Sequence, residues 1–245
     1  MRTVTLTLAE IVRLIKASFY VTLGAAAMIV LLRLAVTSSS QTSFFALAFQ
    51  SISMALLFTT ALFGLLANRP WKFKRLASWL GRPSIHGIWA GTLYTDWQDK
   101  EGNRPAPIPI AFVIRQTYLF VSIQSFTQRQ AARSTFEFLG TDEKTTDTHL
   151  AYVYELRRTA YKENKLTTGY GHLTLQDGGK VLAGDYWTNS PTQGRLELEF
   201  IAQDCDGVNS YDSVMRVIAQ TKRHKVGAAT RATRLAEGGH APYPR

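Results

Sequence analysis

The sequence predicts a membrane α-helical hairpin plus an all-β domain: two N-terminal transmembrane helices followed by a compact cytosolic eight-stranded antiparallel β-barrel. Three observations lead there. Two long stretches near the N-terminus are almost free of charge, the pattern changes to two-residue alternation after residue 84, and the basic excess lies outside the alternating region. Of the net +10, residues 1–76 hold eight basic side chains and one acidic one, residues 77–203 hold thirteen of each, and residues 204–245 hold seven against four. A protein that coats a DNA or RNA polymer carries its basic excess on its folded domain. Here that domain is neutral, so such polymers are not expected as partners, and charge beside a membrane accounts for the total better. A single cysteine, Cys205, excludes an intrachain disulfide framework and a Cys-rich zinc module.

Taken in order, residues 1–16 form a short cytosolic N-terminus, and residues 17–67 the hairpin. Its first span, 17–36, has Arg33 as its only strongly polar member, and its second, 44–67, has no charge. At 1.5 Å per residue these reach about 30 and 36 Å, enough to cross a hydrocarbon core. A cleaved signal peptide has a shorter apolar stretch, and no second span follows it within seven residues. The turn TSSSQTS, residues 37–43, lacks Lys and Arg, whereas Arg2, Arg13 and Lys16 precede the hairpin and Arg69, Lys72, Lys74 and Arg75 follow it. The positive-inside rule therefore places both termini in the cytoplasm. Arg33 sits near the far end of its helix, where its stem can lift the guanidinium to the headgroups or, in an oligomer, line a pore. Gly24, Ala25, Ala26 and Ala27, with Ala61 and Gly64, offer small faces for close helix contact. Residues 68–83 form a basic linker in which Trp71, Phe73 and Trp79 alternate with Lys and Arg, a mixture suited to the headgroup layer.

Residues 84–203 read as strands over 87–97, 108–117, 119–127, 133–139, 149–156, 168–176, 180–188 and 193–201, separated by DKEGNRPAP, TDEKTTDT, DGGK and NSPT. The last strand sets Leu196, Leu198 and Phe200 against Arg195, Glu197 and Glu199, an alternation that makes one face core and the other solvent. Eight short strands without intervening helices suit an up-and-down barrel, wide enough to hold one small ligand, or a two-sheet sandwich. Charged outer faces exclude an outer-membrane barrel. Beyond it, residues 204–245 are expected to hold a short helix over 211–220 and a disordered basic tail.

No catalytic constellation accompanies this fold. His86, His149 and His172 stand isolated in the sequence, and HxxxH, CxxC, GxSxG, P-loop and dinucleotide fingerprints are missing, so neither an enzyme nor a metal site is expected. The acids lie mainly in loops or on strand faces assigned to solvent. More informative is the run SIQSFTQRQAARS, which ends one strand and begins the next and gathers Gln124, Ser125, Gln128, Arg129, Arg133 and Ser134 around one rim. Tyr152, Tyr154, Tyr170, Tyr186 and Trp187 supply flat faces, and Thr188 and Asn189 a hydroxyl and an amide. Guanidinium groups match phosphate geometry and aromatic faces stack bases, although strand tyrosines more often serve the core. The GxW of residues 87–89 reads as a barrel plug and is similar to one that opens many lipocalins. A tethered lipocalin-like carrier of a small apolar ligand and a protein-docking barrel are the rival readings.

The order GIWAGTLYTDW, IPIAFVIRQTYLFVSIQSFTQRQAARS, YVYEL, GYGHLTL and AGDYWTNSPTQGRLEL, behind two spans, resembles the CD-NTase-associated transmembrane β-barrel effectors, the minimal STING-like receptors of bacterial CBASS anti-phage systems. The resemblance covers residues 85–200. It implies a two-span protein of the bacterial inner membrane whose barrel binds a cyclic dinucleotide made by a cognate CD-NTase, oligomerises with other copies and disrupts the lipid bilayer, without a cofactor. Residue by residue, it implies Arg129 and Arg133 as phosphate contacts, with Gln124 and Ser125 in the same polar stretch. Tyr152, Tyr154, Tyr186 and Trp187 become stacking candidates, and Ser134, Thr188 and Asn189 readers of base or ribose.

Overall fold

The computed structural model describes residues 5–36, 44–68, 82–142, 144–158, 167–190 and 192–237. The turn at 37–43, the basic–aromatic stretch 69–81 and the last residues of the tail lie outside the described residues. The chain divides into two compact units, one of residues 85–115 and 122–245 and the other of residues 2–84 and 116–121.

The second unit holds helices α1 (Leu8–Val36) and α2 (Phe44–Asn68). Thr7 and Glu10 start α1 as a capping box: the Thr7 N–H donates to the Glu10 carboxylate at 2.8 Å and the Glu10 N–H to the Thr7 hydroxyl at 3.3 Å. Both helices are long and apolar enough to cross a membrane, and only 6% and 17% of their apolar windows are buried. A soluble core helix would hide that surface; Phe19, Phe49 and Leu57 show that these helices present it. The seam between them is built from small residues: Ala26, Ser51, Ala55 and Thr59 are buried, and the Thr22 and Thr59 hydroxyls lie 3.1 Å apart. Gly24 and Gly64 are not part of it, since a methyl added at either would meet nothing within 4 Å. Arg33 donates to the Gln50 amide oxygen at 2.7 Å, so its charge is met by the second helix.

The same unit contains a buried knot. The Arg82 guanidinium, 1% exposed, donates to the Tyr118 carbonyl and to the Thr5 carbonyl (3.2 Å) and hydroxyl (2.6 Å), and lies over the Tyr118 ring. Thr5 in turn donates its N–H to Leu119 at 3.0 Å. Burial pushes the Arg82 pKa down, and the charge of Glu10 opposes that shift.

The first unit is dominated by strands β1 (Gly87–Thr95), β2 (Ile108–Gln116), β3 (Val121–Phe126), β4 (Gln130–Thr141), β5 (Thr148–Arg158), β6 (Thr167–Gln176), β7 (Val181–Thr188) and β8 (Gln193–Ala202). They form a closed barrel in sequence order, with β8 paired back to β1, so no sheet edge is left open. Trp89 fills the lumen where the chain enters: it is 1% exposed, donates its indole N–H to the Ile85 carbonyl at 2.9 Å, and meets Phe200 edge to face. Gly87 beside it has φ +138°, and an added Cβ would stand 2.4 Å from the Ala202 carbonyl, which only glycine tolerates. Helix α3 (Tyr211–Glu237) covers the outer face of β1–β3, where Val214 and Ile218 join Ile88, Ala111, Val113 and Phe126 around buried Cys205. It continues well past residue 220, into the stretch expected to be a disordered tail, through a segment rich in Ala, Lys and Arg, residues of high helix propensity.

Candidate functional site

Strand register sorts the barrel interior into levels. Nearest the end formed by the β3–β4 and β7–β8 turns, Ala132 pairs with Leu156 and Leu156 with Thr167. The next inward level is Ser134, Tyr154, Gly169 and Thr188, and below it come Glu137, Tyr152, Gly171, Tyr186 and Gly194. Deeper still, Leu139, Leu150, Leu173, Gly184 and Leu196 follow one another round the wall. The lumen is therefore apolar at depth and rich in tyrosine and hydroxyl groups toward one end.

The glycines are what let the rings lie against the wall. A Cβ on Gly169 would stand 2.3 Å from Tyr154 Cζ, and one on Gly171 2.4 Å from Tyr152 Cζ. Each ring thus covers the bare backbone of the neighbouring strand instead of projecting across the lumen. Tyr152 and Tyr154 lie 5.7 Å apart at a 35° tilt, and Phe112 meets Tyr152 edge-on at 5.9 Å. Burial raises the pKa of all three inward tyrosines, well above the usual value for Tyr152 and Tyr154; neighbouring phenols add to the effect for those two, whereas for Tyr186 a hydrogen bond with Thr95 opposes it and the charge of Asp96 adds to it. Their hydroxyls remain protonated donors across any physiological pH.

The residues singled out from sequence divide into three groups. Ser125, Ser134, Tyr152, Tyr154, Tyr186 and Thr188 face the lumen by strand parity. Gln124, Arg133 and Trp187 face outward: Gln124 accepts from Arg115 at 2.6 Å, Arg133 is exposed opposite Glu155, and Trp187 is exposed against Tyr170 at 5.9 Å. Arg129, in the β3–β4 turn, and Asn189, in the β7–β8 turn, stand at the rim. Several of the polar groups already have work. Thr188 donates to the Ser190 carbonyl, and the Asn189 side chain accepts the Thr168 N–H at 3.1 Å, which ties the turn to β6. Ser134 accepts the Ile123 N–H at 2.8 Å and also bonds Glu137.

Two lumen groups escaped the sequence reading. Glu137, expected in solvent, is 6% exposed and points inward, because a register shift between Ser134 and Phe136 inserts Thr135 and reverses the parity of the rest of β4. Thr167 is 2% exposed, and its hydroxyl has no hydrogen-bond partner among the described residues. The histidines, isolated in sequence, are not so in space. His149 and His172 stack at 5.2 Å on the outer wall, and His86 Nε2 lies 3.7 Å from Cys205 Sγ. Among the described residues, no group of three or more His, Cys, Asp or Glu could hold a metal ion.

No curated protein in the comparison matches the chain. Residues 80–199, which span all but the end of the barrel, match the family model described as Cap15, cyclic dinucleotide receptor domain. This is a receptor rather than a catalytic family, and its ligand is a cyclic dinucleotide. The tyrosine-lined barrel thus belongs to the Cap15 cyclic dinucleotide receptor family, and this domain, in a chain with two helices long and apolar enough to cross a membrane, supports a CBASS effector that senses cyclic dinucleotides.

Proposed function

We propose that the ligand enters the lumen at the end bearing the β3–β4 and β7–β8 turns, stacks a base on Tyr154 and Tyr152, and leaves its phosphates near the rim at Arg129. The observation that carries this reading is the pair of tyrosine rings laid over Gly169 and Gly171, which gives flat apolar faces with protonated hydroxyls inside a barrel of the receptor family. Stacking on such faces is worth about 1–3 kcal/mol per base. Arg129, free of the strand alternation that turns Arg133 outward, suits a phosphate contact. A buried lumen carboxylate and tyrosine hydroxyls fit a polar ring better than the small apolar ligand of a carrier.

Ligand binding then favours an oligomer. Both termini lie in the cytoplasm, the hairpin spans the bacterial inner membrane, and confinement to that plane raises the effective concentration of copies, so a modest preference for the assembled state produces steep membrane disruption. The test is titration of the full chain in detergent with cyclic dinucleotides, comparing Tyr154→Ala, Arg129→Ala and Arg133→Ala. The lumen reading expects losses of about tenfold or more for Tyr154→Ala and Arg129→Ala. It expects a smaller change for Arg133→Ala. Loss confined to Arg133→Ala would move the site to the outer wall.

A further inference from the structure

The feature of the barrel least explained by folding is the arrangement of β4 after Thr135. Phe136 and Phe138 are 52% and 44% exposed, while Glu137 between them is 6% exposed. Regular alternation from Ser134 would have done the opposite, placing both phenyl rings inside and the acid in water. Burial energetics favour that outcome strongly, since large apolar groups gain from leaving water and a carboxylate loses. A bulge that turns two phenylalanines out in order to bring one acid in is a device for re-aiming a side chain, and bulges of this kind cluster beside functional sites.

The place to which Glu137 is brought matters as much as its burial. By register it is the direct neighbour of Tyr152, and it lies one level below Ser134 and Tyr154. The Ser134 hydroxyl bonds it, which fixes its orientation. An ionised carboxylate is acceptor-only, with two oxygens side by side. It repels phosphate, so whatever meets it must be a part of the ligand that presents donors. Among the base edges, adenine and cytosine set one amino group beside an acceptor nitrogen, and uracil sets one N–H between two carbonyls. Guanine alone presents two adjacent donors, N1–H and the 2-amino group, at the spacing of a carboxylate.

We propose that Glu137 reads a guanine, so that the ring this barrel binds contains at least one guanine whose N1–H and 2-amino group donate to the Glu137 carboxylate. The assignment rests on the lumen reading above, and it adds the identity of a base. Glu137 to the level of Thr167 is four strand residues, about 13 Å along the wall. That distance lets a base at Glu137 and the sugar–phosphate ring near Thr167 and the rim belong to one ligand. The buried Thr167 hydroxyl, without a hydrogen-bond partner among the described residues, is placed to meet the latter.

The test is calorimetric titration of the full chain in detergent with cyclic di-GMP, cyclic GMP–AMP, cyclic di-AMP and cyclic di-UMP, for the natural chain and for Glu137→Gln. The amide keeps the size of the side chain but replaces one acceptor with a donor that opposes the guanine edge. The expected result is tightest binding by a guanine-containing ring. Glu137→Gln should weaken that ring by about 10- to 100-fold, the range of one bidentate base contact, and change the guanine-free rings little. Preference of the natural chain for a guanine-free ring, which needs no variant to measure, overturns the assignment while leaving the receptor reading intact. Equal weakening of all rings by Glu137→Gln also overturns it, and makes the residue a brace for the bulge. Flat titrations with all four rings from a folded barrel overturn the receptor reading, and the guanine assignment with it.

Discussion

Gly171→Ala perturbs the barrel at one atom. The added Cβ would lie 2.4 Å from Tyr152 Cζ and 2.5 Å from both its Cε1 and its hydroxyl oxygen, far inside van der Waals contact. The ring has nowhere to retreat: Tyr152 is 3% exposed, with the edge of Phe112 at 5.9 Å and Tyr154 at 5.7 Å. Overpacking of this kind typically costs about 1–3 kcal/mol. Replacing glycine within a strand returns about 0.5–1 kcal/mol of conformational entropy. The net expectation is destabilisation by up to about 2.5 kcal/mol, together with weaker ligand binding because the stacking face has moved. The assay is denaturant unfolding of the full chain in detergent, followed by near-ultraviolet circular dichroism, in a double-mutant cycle with Tyr152→Leu. If the clash is the cause, Gly171→Ala loses most of its cost once the ring is gone. Equal destabilisation in both backgrounds, or none in either, would refute the account of rings seated on glycine backbone.

Two further outcomes follow. Tyr152, Tyr154 and Tyr186 hold their protons in the folded barrel beyond the pH at which an unfolded chain loses them, about 10. Between those limits the unfolded state binds fewer protons, so their contribution to stability is complete below about pH 10 and declines above it; tyrosinate absorbance should rise in a late phase that coincides with unfolding, and simple titration of all ten tyrosines near pH 10 in a folded barrel would contradict this. Gly24→Leu and Gly64→Leu enter open space on the helix faces, so insertion and nucleotide binding should persist while ligand-driven assembly and cell killing are lost; retained killing would place the assembly contact elsewhere.

The architecture was legible because its causes are local and repeated. Apolar runs long enough for a bilayer mark α2 and the part of α1 after Lys16, although α1 itself begins earlier, at Leu8, and two-residue alternation locates each strand to within a few residues at its ends. The GxW plug and the inward set of Tyr152, Tyr154 and Tyr186 follow from the same parity. The single inserted residue at Thr135 was not legible. In FEF the alternation points to buried phenylalanines, and nothing local reveals that β4 meets β5 with an extra residue; that pairing is a long-range fact of the closed barrel. The error therefore falls on Glu137, the one lumen acid among the described residues. A different cause separates Arg133 and Gln124 from the tyrosines. They are close in sequence to the rim, but paired strands hold them on the outer wall, whereas Arg129 escapes because it lies in a turn. The small residues of the hairpin show a similar limit: composition identifies them, yet only packing distinguishes Ala26, inside the seam, from Gly24, outside it.

The central claim is that the lumen is the receptor site, and hydrogen exchange of the full chain with and without its best-bound cyclic dinucleotide tests it most directly. The account predicts that added protection concentrates at the mouth-side ends of β5, β6 and β7, around Tyr154, Gly169 and Thr188, and at the turn bearing Arg129. Protection confined to the outer wall around Gln124 and Arg133, with those strand ends unchanged, would contradict it.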